Sequence, residues 1–137
     1  MKTLSIRTVD WNRMRAHVES EFPREACGLL GGRKNLVEKV IPVENVLASQ
    51  SRFRMDPKGQ IQGIFRLEEM GLDLIAIYHS HPMNSPEPSE IDLAEWQLGK
   101  KCNLIWSNLP SGWICRNYIL EGEQFKPAGL SILASKQ

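Results

Sequence analysis

An apolar run from Leu72 to Tyr78 ends in His79-Ser80-His81-Pro82, and this ending constrains the chain more than any other stretch. A run of this length closed by proline reads as a strand, because proline has no N–H to give to a sheet ladder. Side chains alternate along a strand, so His79 and His81 share one face, roughly 7 Å apart along the backbone. Both faces are apolar over Leu74 to Tyr78, which places the strand centrally in its sheet. A single histidine at a strand end is usually a hydrogen-bonded surface residue. Two on one face, however, suit one metal ion. A loop with Pro86 and Pro88 then leads to Ser89 and Asp92. Ser89 fits the N-cap of a following helix with Asp92 in its first turn. From there Asp92 is expected to supply a third ligand. Three protein ligands and an open fourth position describe a catalytic zinc, and two imidazoles with a carboxylate suit that ion, although iron shares the same donors.

The rest of the composition removes alternatives. At 137 residues the chain, 1–137, should form one domain with a core of useful size. A formal net charge of +1 offers no electrostatic case for nucleic acid or an anionic membrane. Met1 to Arg7 lacks the apolar core of a signal peptide, and no run approaches the roughly 20 residues of a membrane span, so a cytoplasmic location is expected. Cys27, Cys102 and Cys115 are far apart and form no Cys-x-x-Cys. They read as small buried hydrophobes, with a disulfide between two of them left open.

In chain order, Leu4 to Thr8 reads as a strand and Asp10 as an N-cap. Trp11, Met14, Val18 and Phe22 recur at helical spacing, predicting a helix over 11–21 with His17 facing solvent. Ala26 to Leu30 reads as a strand, Gly31 to Asn35 as a turn, and Leu36 to Val43 as the returning strand. Residues 44–51 show no periodicity and are expected to be a loop. Arg52 to Met55 alternates charge with apolar, as a half-buried strand would. Asp56-Pro57 starts a helix with Ile61, Ile64, Phe65 and Glu68 on one face and Gly71 at its end. Beyond the central strand, a helix is expected over 90–99, with Trp96 packing. Strands follow from Leu104 and from Trp113 to Leu120, then a short strand or tail to Ile132. The alternation predicts an α/β fold, a mixed β-sheet sandwiched between helices.

At the histidines the chain resembles the JAMM (MPN+) zinc metalloprotease family, whose signature is His-x-His-Pro followed at fixed offsets by Ser and Asp. Here His79, His81, Ser89 and Asp92 match it completely. The family also carries an upstream glutamate, and Pro23-Arg24-Glu25-Ala26-Cys27-Gly28 is similar to its Pro-x-Glu-x-Cys-Gly pattern. The resemblance implies a cytidine deaminase-like JAMM/MPN sheet and one Zn2+ ion held by His79, His81 and Asp92. It also implies a partner: ubiquitin, a ubiquitin-like modifier or a sulfur carrier protein, cut after its C-terminal Gly-Gly. The bond is an isopeptide or an ordinary peptide. With no additional targeting domain, the chain looks like the stand-alone prokaryotic type.

The chemistry follows. Zinc lowers the pKa of a water to about 7, giving a nucleophile without a covalent enzyme intermediate. Glu25 is expected to be the general base, and the Ser89 hydroxyl to donate to the developing oxyanion. A Gly-Gly tail has no side chains and can lie extended in a narrow cleft, which Asn45 to Met55 is expected to line. Three rivals were weighed. A non-catalytic MPN-type scaffold that binds a ubiquitin-like partner is the alternative, but here every ligand position is filled. A zinc nucleobase deaminase requires His-x-Glu and Pro-Cys-x-x-Cys, and neither occurs. A DNA-repair relative of the same fold would need a basic surface.

Overall fold

The computed structural model describes residues 3–50, 53–82, 102–122 and 124–134. Among them are seven strands and two helices: β1 (Thr3–Arg7), α1 (Thr8–Glu21), β2 (Cys27–Arg33), β3 (Leu36–Val43), α2 (Pro57–Glu69), β4 (Asp73–His81), β5 (Cys102–Leu109), β6 (Gly112–Glu121) and β7 (Gln124–Leu133). The sheet is mixed, in the order β1-β3-β2-β4-β5-β6-β7. It closes on itself because β1 runs parallel to both β3 and β7. β4 is central, as its two apolar faces require: antiparallel to β2 on one side, parallel to β5 on the other. The fold is α/β, a mixed sheet with two helices packed on it.

Strand alternation sorts the core into two clusters, each under one helix. Leu30, Val40, Ala76, Tyr78, Leu104 and Trp106 pack with Met14 and Val18 of α1. Their sequence neighbours Leu29, Ile41 and Ile77 pack with Leu67 of α2 on the other face. The sheet therefore lies between α1 and α2, as the alternation of elements predicted. Its closure into a barrel was not predicted, because that depends on β7. The expected short strand or tail is a ten-residue strand that pairs with β6 and with β1.

Several local expectations are corrected. α1 begins at Thr8, so Asp10 is not its N-cap. Asp10 is fully buried inside the first turn and accepts a 2.8 Å hydrogen bond from Arg7 Nε. Gly31 and Gly32 do not turn; they continue β2 through a bulge, and the turn falls on Lys34 and Asn35. α2 does not bury Ile61 and Phe65, which stay more than half exposed. It turns Gly63 and Leu67 inward, and the glycine lets the helix lie against β2 without displacing the Leu29 side chain. A Cβ at Gly63 would sit 2.7 Å from Leu29 Cδ1. The Asp56-Pro57 start holds: the Asp56 carboxylate accepts from Gly59 N at 3.2 Å. Gly71, at φ +71°, follows the helix as expected. Phe53 to Met55 is not a strand; only an isolated bridge joins Met55 to Asn45. The three cysteines are thiols, Cys27 buried and the other two half-buried. The helix expected over 90–99 lies outside the described residues.

Candidate metal centre

The register gathers three chain segments at one end of the sheet. Cys27, the first residue of β2, stands opposite Val43 at the end of β3 and His79 near the end of β4. Glu25 therefore lies just before β2, and Asn45 just beyond β3, both beside the paired histidines. His79 and His81 do share one face of β4. Their Nε2 atoms approach to 3.1 Å, with the rings tilted 60° to each other. Glu25 completes a group whose candidate ligand atoms all lie within 4.8 Å of one another. All three residues are buried. Ser89 and Asp92, the other two predicted site residues, lie outside the described residues.

The opposite face of β4 carries no chemistry of this kind, but it holds the site in register. The Ser80 hydroxyl accepts a hydrogen bond from Ala26 N at 2.8 Å, and Ser80 N donates to Ala26 O at 3.0 Å. Both bonds tie the residue after Glu25 to the residue between the two histidines. Tyr78 is buried under α1, where its hydroxyl lies 2.7 Å from His17 Nδ1. Burial pushes the phenol well above its ordinary value, with Cys27 and Glu21 adding to the effect. Burial lowers the His17 imidazole, opposed in part by Glu21. Both shifts favour the neutral forms of the two groups that share this hydrogen bond. His17 is half-buried and bonded, not the solvent-facing residue its position on the helix suggested. Gly28 makes room for this ring, since a Cβ there would collide with the Tyr78 ring carbons and hydroxyl.

The segment between β3 and α2, opaque in the sequence, closes around Glu25. Glu25 N donates to Ser49 O at 2.7 Å, and Asn45 Nδ2 donates to Glu25 O at 3.1 Å. Phe53, from the same segment, stacks on His79 with ring centroids 4.4 Å apart and planes 22° from parallel. Beside them the Cys27 thiol is pushed up to about 12 by burial, then by Glu25 and Glu21. It donates to Val43 O at 3.5 Å and stays a thiol at neutral pH, so it packs as the small hydrophobe expected of it. The sequence pointed to Asn45 to Met55 only as a stretch expected to line a cleft, without singling out Asn45, Ser49 or Phe53, and gave Ser80 no role. Ser80, enclosed by the two histidines, carried the more local positional signal.

The donor chemistry can be tested against zinc. Two nitrogens each 2.0–2.1 Å from a tetrahedral ion stand roughly 3.3–3.4 Å apart. The observed 3.1 Å between the imidazole nitrogens is close to that edge. A buried carboxylate is also costly without a cation beside it, several kcal/mol as a rough measure. The residues therefore fit a divalent ion.

Residues 9–126 match the family described as prokaryotic homologs of the JAB domain. Among curated relatives, the chain is 42% identical over 87 residues to a probable TtuB-protein conjugate cleaving protease of Thermus thermophilus, covering 61% of this chain and 58% of that one. It is 37% identical over 89 residues to a desampylase of Pyrococcus furiosus, covering 65% and 61%. The matches thus span about three fifths of those relatives' lengths. The solution structure of protein DSY2949 from Desulfitobacterium hafniense superimposes with a TM-score of 0.88 at 27% identity, covering 96% of this chain and 94% of that one.

Proposed function

Because the chain belongs to the family of prokaryotic homologs of the JAB domain, we propose that it is a zinc-dependent peptidase acting on conjugates of a ubiquitin-like or sulfur carrier protein. The observation that carries this reading is the convergence of His79, His81 and Glu25 from two separate sequence motifs into one buried group. His79 and His81 would hold the ion through Nε2, each keeping its ring proton on Nδ1. Asp92 would be the third ligand. Zinc there supplies a Lewis acid that brings a water's pKa to about 7. Glu25 takes the proton of the attacking water on a carboxylate oxygen and returns it to the leaving amine. Its backbone is fixed at both N and O, which anchors the Cα from which that carboxylate reaches. The Ser89 hydroxyl donates to the oxyanion of the peptide carbonyl.

The names of the two relatives support the substrate class: one is a protease for TtuB–protein conjugates, the other a desampylase. The bond proposed is the one after a C-terminal Gly-Gly, isopeptide or linear. The test uses zinc-loaded chain and a panel of small β-grasp proteins ending in Gly-Gly, each fused to a short C-terminal extension. Cleavage after Gly-Gly, seen by intact-mass spectrometry, is expected. A zinc-loaded chain that leaves the whole panel uncut contradicts this substrate class.

A further inference from the structure

The described residues between Glu44 and Asp56 have almost no regular structure, yet they are knotted at the base of the segment. Asp56 N donates to Glu44 O at 2.9 Å, and Val46 N donates to Arg54 O at 3.0 Å. Asn45 lies inside that knot, buried, and uses both ends of its amide. Its Oδ1 accepts from Leu47 N at 3.1 Å and from Arg54 N at 3.0 Å, fastening the segment to itself. Its Nδ2 reaches the other way, to Glu25 O. Eight residues further on, Phe53 lies flat against the His79 ring, itself buried with Met55 in the cluster under α2. One short segment therefore touches the backbone of Glu25, just before β2, and the ring of His79 in β4.

We infer that Asn45 and Phe53 are positioning residues for the metal centre: Asn45 holds the Glu25 backbone, and Phe53 sets the plane of the His79 ring. An imidazole can hold an ion only if its ring plane is aimed, and rotation about the Cβ–Cγ bond is soft unless something blocks it. A stacked ring blocks it and keeps water from the same side. The inference about Asn45 rests on the peptidase reading, because it concerns Glu25 as the base. That about Phe53 concerns ion binding alone, so the two are separable.

The experiment measures zinc affinity by competition with a chromophoric chelator, and the visible spectrum of the cobalt-substituted protein, for native chain, Phe53→Leu and Phe53→Tyr. Leucine preserves much of the apolar volume but has no ring; tyrosine restores the ring. Partners outside the ligand shell typically alter metal affinity by about 10- to 100-fold. Phe53→Leu is expected to bind zinc at least about tenfold more weakly, with a changed cobalt spectrum, and Phe53→Tyr to recover both. Native affinity and spectrum in Phe53→Leu would overturn the inference for His79. Loss in both variants alike would overturn it too, since the ring would then not be what matters.

For Asn45 the informative variant is Asn45→Asp, which keeps the acceptor for Leu47 and Arg54 but cannot donate to Glu25 O. With zinc bound, kcat is expected to fall about 100-fold at unchanged KM, as for a misplaced catalytic group. An unchanged kcat in a folded, zinc-loaded Asn45→Asp overturns that half. Native chain that binds zinc but cuts nothing contradicts the peptidase reading, and with it the Asn45 half, while the zinc and cobalt measurements still decide Phe53.

Discussion

The two faces of β4 divide one strand into two jobs. Ile77, His79 and His81 share the face towards α2, and the last two carry the candidate ligand nitrogens. Tyr78 and Ser80 point towards α1 and carry the bonds that fix the strand in place. A period of two residues thus separates chemistry from alignment within five positions. A polar residue on the alignment face has to meet a partner inside the core, as Ser80 does at Ala26 and Tyr78 at His17. The difference is sharp because substitutions on one face should abolish ion binding, while those on the other should mainly cost stability.

The largest effect is expected on the ligand face. His79→Ala or His81→Ala should lose stoichiometric zinc, measured by elemental analysis after purification without chelator, and retain at most background cleavage. Full zinc in both variants would remove the division at its root. On the other face, Gly28→Ala would drive a methyl into the Tyr78 ring, and about 1–3 kcal/mol of destabilisation in urea titration is expected. Ser80→Ala leaves the buried Ala26 N–H without its hydroxyl acceptor and should cost about 1–3 kcal/mol, with zinc retained. Zinc loss there at unchanged stability would reverse the assignment of the two faces.

The smallest effect is a pH dependence. Burial lowers the His17 pKa in the folded state, so between that value and the unfolded value near 6.5 the unfolded chain binds more protons. Stability linked to His17 is then complete above about pH 6.5 and is lost as pH falls through the folded pKa. His17→Gln should flatten that part of the curve relative to native chain in urea titrations between pH 5 and about 7. An identical slope in both would show that His17 does not sense folding.

The legible parts of the molecule are those where a local pattern and the fold ask for the same thing. His79 and His81 could be assigned to one face because the strand period is fixed, and Pro82 marked where the strand stopped. Leu36 to Val43 was read to the residue for the same reason. Glu25 was found by its Pro-x-Glu-x-Cys-Gly neighbourhood, not by anything in its own position. The closure of the barrel was illegible, since it rests on β7 pairing with β1 across the whole chain. Ile61 and Phe65 misled because apolar spacing names a helical face without saying which face the sheet needs, and a glycine decided that. Residues 44–55 were read only as a loop and a half-buried strand, for a deeper reason. Among the described residues, what holds this segment is a set of side-chain and turn bonds around Asn45, and such bonds leave no period in a sequence.

In the proposed reading Glu25 serves as the base of a zinc hydrolase, with His79 and His81 as ion ligands. The most direct test is Glu25→Gln, compared with native chain at equal zinc loading on one Gly-Gly substrate. The expected result is unchanged zinc content with cleavage reduced by at least about a hundredfold, the lower end of what a positioned general base contributes. Cleavage at the native rate by the zinc-loaded variant would show that the base lies elsewhere. Loss of zinc from the variant would contradict the account in another way, by making Glu25 a ligand.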